Sequence, residues 1–191
     1  MRIESKKQKA GSGKALTSAQ KAAYFGVLSA LALALSWAES VLAPLLNLPM
    51  GIKPGLSNIA VMAASAVLGL PAGLAVAAAK AVFAGVTRGL TAMLLSAAGG
   101  LASALLAGIL LYANQSRAKQ GAAPQVSETG IGMLGGVTHN LCQLGAAALL
   151  TRTAGLCWLA PLLIVSGLLS GAVTGTLVKI LRKTLDGFQA P

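Results

Sequence analysis

Between residues 24 and 181 the chain alternates long apolar stretches with short polar breaks, and Glu39 is the one acidic residue inside any stretch. Such a pattern leaves few folds open. Charged residues make up 10% of the 191 and hydrophobic residues 55%, whereas a soluble domain carries about 25% charged residues. A surface so poor in charge does not stay in solution, which excludes a soluble globular enzyme. Disorder is excluded too, because disordered chains are polar and highly charged. Aromatics at 4% and the lack of alternating Ser, Thr and Tyr argue against an outer-membrane barrel. The composition therefore predicts an all-α, polytopic helical membrane protein.

Apolar stretches occupy residues 24–46, 56–70, 71–86, 90–112, 131–150 and 156–181. A spanning helix needs roughly 20 residues and at least about 17, so the first, fourth, fifth and sixth qualify. The second and third are short and meet at Gly69-Leu70-Pro71, where Gly favours a helix end and Pro a helix start. They read as two short spans or as a re-entrant hairpin. The first stretch is too long for the apolar region of a signal peptide, which runs about 7–15 residues. Six spans follow, with a basic polar extension at 1–21, a transmembrane domain at 22–182 and a tail at 183–191.

Charge placement gives the orientation. With the N-terminus in the cytoplasm, the inner segments hold Arg2, Lys6, Lys7, Lys9, Lys14, Lys21, Arg117, Lys119, Lys179, Arg182 and Lys183. The outer loops hold Lys53, Arg88 and Arg152, and Lys80 falls inside the third stretch. This asymmetry obeys the positive-inside rule, puts both termini in the cytoplasm, makes 113–130 an inner loop and predicts a multi-pass protein of the cell membrane. The net charge of +11 flanks apolar spans without interleaved aromatics, so it suits anionic lipid headgroups rather than nucleic acid.

Several residues stand out as candidates for function. Ala22, Gly26, Ala30, Ala34 and Ala38 repeat every fourth position and share one helix face, either for packing in the bundle or as a docking stripe for a membrane partner. Glu39 needs a partner if it enters the membrane, and Lys53, Arg88 and His139 are candidates by depth. In the outer loop 47–58, Ser57 and Asn58 occupy expected N-cap positions, and Lys53 completes a possible anion seat. Lys80 and Arg88, eight residues apart, fall roughly on one face; Lys80 either snorkels or pairs inside the bundle. His139 and Gln143 are neighbours at i,i+4, and Asn140 points about 100° away. Gly135 and Gly136 permit close helix contact, and Trp37 reads as an interfacial anchor or a packing residue. Cys142 and Cys157 read as small core hydrophobes rather than ligands. One His and one intramembrane acid do not make a metal site, and no cofactor motif is present.

The segment Lys53-Pro54-Gly55-Leu56-Ser57-Asn58-Ile59, the pair Arg88-Gly89, and Gly135-Gly136 followed by His139-Asn140 and Gln143 resemble the Gx transporter family. That family is also labelled heptaprenyl diphosphate synthase component I. The likeness extends over about residues 22–182 and leaves out the basic extension. It implies a fold similar to the substrate-binding S components of energy-coupling factor (ECF) transporters, with six helices and an outward-facing site. It also implies that Ala30, Ala34 and Ala38 dock onto a transmembrane coupling subunit. The synthase label meets a chemical difficulty: prenyl synthases hold Mg²⁺ with Asp-rich clusters, and this chain has one Asp, Asp186.

The expectation is a non-enzymatic, membrane-embedded binding subunit that takes up a small anionic or amphiphilic molecule. Glu39, Lys53, Asn58, Arg88, His139, Asn140 and Gln143 would hold the ligand. Without a GxxxxGK[ST] motif, ATP hydrolysis falls to partner ATPases and the coupling subunit. The alternative is an accessory membrane subunit of a prenyl diphosphate synthase or of a quinone- or flavin-linked electron-export system. A channel or secondary transporter ranks last, because such carriers usually need more buried carboxylates.

Overall fold

The computed structural model describes residues 16–45 and 55–189, and among them every regular element is helical. The helices are α1 (Ser18–Leu45), α2 (Ser57–Leu68), α3 (Leu70–Arg88), α4 (Leu90–Lys119), α5 (Glu128–Thr151) and α6 (Ala160–Gln189), with a 3-10 turn over Ala154–Leu159 before α6. α1, α3, α4 and the Ala154–Leu185 stretch are long and apolar enough to cross a membrane. α2 is not. Its 12 residues extend about 18 Å, well short of a hydrocarbon core of roughly 30 Å. Of the two stretches expected to be short, α3 has 19 residues and α2 alone is a stub. α5 is long enough at 24 residues, but His139, Asn140 and Gln143 make it less apolar.

Local chemistry sets several boundaries. α1 begins at Ser18, ahead of the expected Tyr24, because Thr17 and Gln20 form a reciprocal capping box: Thr17 N–H donates to Gln20 Oε1 at 2.9 Å and Gln20 N–H to Thr17 Oγ1 at 3.2 Å. The turns from α2 to α3 and from α3 to α4 each pass through one glycine in the left-handed half of φ space, Gly69 at +94° and Gly89 at +91°. A side chain there would be strained. The expected inner loop 113–130 is about half helix, since α4 continues to Lys119. The remainder is pinned by Asn114, whose Nδ2 donates to Val126 O at 2.6 Å while Oδ1 accepts Gln125 N–H at 2.9 Å.

α2 lies at the centre, in contact with α1, α3, α4 and α6. The core around it is built largely of alanine, including Ala60, Ala63, Ala64, Ala77, Ala104 and Ala107, with Val76, Leu111, Ile131 and Val178 as its largest fully buried side chains. Lipid tails are as apolar as leucine, so helices in a membrane gain most by close van der Waals approach between small residues. The closest approach is between α5 and α6. A Cβ on Gly132 or Gly136 would run into the backbone of Gly171 or Gly167. Large apolar residues lie outside instead, among them Val86, Leu149 and Trp158, as expected of a lipid-facing surface. Trp37 is 58% exposed, which suits an anchor rather than a packing residue. The cysteines are not core residues: Cys157 is exposed in the 3-10 turn and Cys142 is half-buried.

Candidate functional site

Glu39, Ser57, Asn58 and Lys80 converge from α1, α2 and α3 into one buried polar cluster. Glu39 is 4% exposed and Lys80 2%. Glu39 Oε1 accepts the Ser57 backbone N–H at 2.9 Å, and its Oε2 accepts the Ser57 hydroxyl at 3.0 Å. Ser57 opens α2, so the carboxylate satisfies one of the first-turn N–H groups and meets the positive end of the helix dipole. Lys80 Nζ donates to Asn58 Oδ1 at 2.9 Å and to Ser57 Oγ at 3.3 Å. Lys80 stands eight residues before Arg88, about 12 Å along α3, and its ammonium is held inside the bundle rather than snorkelling. Gly100 of α4 packs beside it, and a Cβ there would lie at ordinary van der Waals distance, 3.7 Å, from Lys80 Cε.

Ser57 and Asn58 therefore do not serve as the expected N-caps. No side-chain hydrogen bond caps α2 at Leu56, because both polar side chains are turned to Glu39 and Lys80. Among the described residues Glu39 is hydrogen-bonded by Ser57, where depth along the chain offered Lys53, Arg88 and His139. Lys53 lies outside the described residues. Arg88 is half-buried and donates from Nη2 to Ser36 Oγ at 3.4 Å, one turn before Glu39 on α1. His139 is on α5, beside Gly99 of α4.

A second polar group lies between α4, α5 and α6. Asn140 Nδ2 donates to Leu163 O at 2.8 Å and to Ser166 Oγ at 3.0 Å, tying α5 to α6. His139 and Asn140 are buried, and Gln143, one turn further on, is half-buried. Besides binding Lys80, Asn58 lines a small cavity with Ser103, Gly135, Ser170 and Thr174. That cavity of about 20 Å³ has room for roughly one water molecule. The fold thus gathers Glu39 and Asn58 directly, places Arg88 beside them through Ser36, and sets His139, Asn140 and Gln143 on the far side of α2. Ser57 and Lys80 are members that the sequence reading left out of the site. The signal for Lys80 was its mid-span position, and that for Ser57 was its place at the start of α2, where it was expected as an N-cap.

The stripe of small residues on α1 faces away from this site. Ala22, Gly26, Ala30 and Ala34 are exposed and Ala38 is half-buried, so the stripe is not used for packing in the bundle.

A family model described as heptaprenyl diphosphate synthase component I matches residues 28–181. The chain belongs to that family. The matched region takes in every residue of the two polar groups and leaves out the basic extension. No curated protein and no solved structure matches the chain. As its description says, this family is one component of a synthase, which implies a partner component. Among the described residues, no three His, Cys, Asp or Glu side chains stand together as metal ligands would.

Proposed function

We propose that the chain is the membrane-embedded substrate-binding subunit of an uptake system, taking a small anionic or amphiphilic molecule and energised by partner ATPases and a coupling subunit. The observation that carries this reading is the burial of Lys80 against Ser57 and against Asn58, which lines a small cavity. With Arg88 nearby, the cluster holds two cations to the one carboxylate of Glu39. Glu39 and Lys80 balance each other in the interior, and an anionic group held by charge-assisted hydrogen bonds would balance the second cation, the half-buried Arg88. In the closed bundle the cavity holds about one water, so uptake requires α2 to move from its neighbours, which its short length and glycine-ended connection favour. The exposed small-residue face of α1 supplies a flat surface for the coupling subunit. Both termini lie in the cytoplasm, the protein resides in the cell membrane, and the chain itself performs no catalysis.

The family description favours a second reading, an accessory membrane subunit of a prenyl diphosphate synthase. Any Mg²⁺-binding Asp cluster would then come from the partner, because Asp186 is this chain's only Asp. Native mass spectrometry of the gently solubilised complex from its own host tests both. Co-purifying ATPase and coupling subunits with a retained small molecule, lost from Lys80→Met, is the expected result. A ligand-free chain bound to a soluble prenyl synthase would overturn the uptake reading.

A further inference from the structure

At the opposite end of the bundle, α4, the 120–127 connection, α5 and α6 enclose a groove of about 390 Å³. Asn114, Gln115, Ser127, Glu128, Lys179 and Arg182 are among its lining residues. This volume is far larger than that of the cavity beside Asn58, and its charge is unbalanced. Arg182 pairs with Glu128, which leaves Lys179, exposed on α6, as the groove's uncompensated cation. Arg117, Lys119 and Lys183 are close in sequence to its lining residues. Arg117 spends its Nε–H on Ala123 O at 3.0 Å, which fixes the connection as a wall of the groove.

Further along α6, outside the lining of the groove, the surface is apolar. Val165 and Leu169 of α6 are 55% and 67% exposed. They stand within roughly 80° of Lys179 around the helix and about 15–21 Å further along it. A cationic groove at one end of a helix whose exposed side chains further along are hydrocarbon-like matches an amphiphile with a phosphate head and a long apolar tail. Neither part alone selects it: a free phosphate has no use for the apolar side chains, and a neutral lipid has none for Lys179.

We propose that this groove binds a phosphate-headed lipid, with the phosphate at Lys179 and the tail along the Val165–Leu169 side of α6. Two sources share that chemistry, an anionic phospholipid of the bilayer and a prenyl diphosphate. The proposal does not depend on the uptake reading, since the groove is at the other end of the helices from the Arg88 end of the site.

The test is native mass spectrometry of the full chain released from nanodiscs of phosphatidylcholine with 20% phosphatidylglycerol. We expect phosphatidylglycerol adducts on the wild type, reduced about fivefold in Lys179→Gln, the loss expected for one basic contact near the membrane surface. Lys183→Gln, outside the groove, should retain most of them, and unchanged melting of both variants verifies that the fold is intact. Displacement of the adduct by micromolar farnesyl diphosphate would support the site and name the prenyl source. Failure of farnesyl diphosphate to displace it would support the site with the phospholipid as source. Equal loss in both variants, equal retention of phosphatidylcholine, or displacement by inorganic phosphate as readily as by lipid would overturn it.

Discussion

Lys80 and Glu39 share one hydroxyl: Ser57 Oγ accepts from the Lys80 ammonium at 3.3 Å and donates to the Glu39 carboxylate at 3.0 Å. One side chain at the start of α2 thereby joins the only charged residues buried inside the described bundle, and it ties α1, α2 and α3 together. The second bond to Glu39, from the Ser57 backbone, holds the carboxylate even when the hydroxyl is removed.

Substitutions in this cluster should separate bond from charge. Ser57→Ala removes the shared hydroxyl and should cost about 0.5–2 kcal/mol, the scale of hydrogen bonds between membrane helices. Glu39→Gln and Lys80→Met each strand the opposite charge and should cost about 3–5 kcal/mol, while the double variant should recover a good part of the sum. Unfolding in detergent with a denaturant series checks this; strict additivity of the two single losses would show that the charges are not coupled.

The glycines of α5 divide by what they touch. Gly136→Ala places a methyl group against the Gly167 carbonyl and Gly132→Ala one against Gly171. Either must push α6 away and lower the melting temperature by several degrees or abolish folding. Gly145→Ala meets nothing within 4 Å and should be neutral or stabilising by up to about 1 kcal/mol. A thermal melt of the three variants, followed by size-exclusion chromatography, separates the cases.

If α1 docks a coupling subunit, bulk on its exposed stripe should break the complex without harming the fold. Ala30→Leu and Ala34→Leu add side chains to positions that face away from the bundle, so the melting temperature should shift little while co-purification of the partner falls at least tenfold. Unchanged co-purification from both variants would remove α1 as the docking face.

Orientation can be read from the cysteines. Cys157 is exposed in the turn before α6, and Cys142 is half-buried in α5. With the N-terminus in the cytoplasm, a membrane-impermeant maleimide should label Cys157 in right-side-out vesicles and leave Cys142 largely unmodified. Labelling of Cys157 only in inverted vesicles would reverse the assigned topology.

Much of the architecture was legible in the residue order because it depends on local properties. Hydropathy is a sum over consecutive residues, and it was enough for a helical membrane protein with breaks at Gly69 and Gly89. Where such sums mislead, a local polar contact intervened. Thr17 and Gln20 start α1 early, and α4 runs through its polar end to Lys119, where hydropathy predicted a loop. Cys157 looked like a core residue because its neighbours are apolar, but apolar surroundings in sequence mean lipid as often as core.

The polar cluster follows a different rule. Glu39, Asn58, Arg88, His139 and Asn140 were conspicuous as costly residues in an apolar stretch, and burial cost can be reasoned residue by residue. Which of them meet is a matter of helix rotation and depth. Glu39 bonds Ser57 across 18 positions and Lys80 bonds Asn58 across 22, separations at which a small change in tilt brings a different pair together. Depth counted along the chain offered Lys53, Arg88 and His139 as partners of Glu39. The short α2, packed at the centre with its first turn against Glu39 of α1 and Lys80 of α3, put Ser57 there. Chain composition decided that this protein lives among lipids as a bundle of helices; only the packing of α2 decided which of its few charges are held together inside.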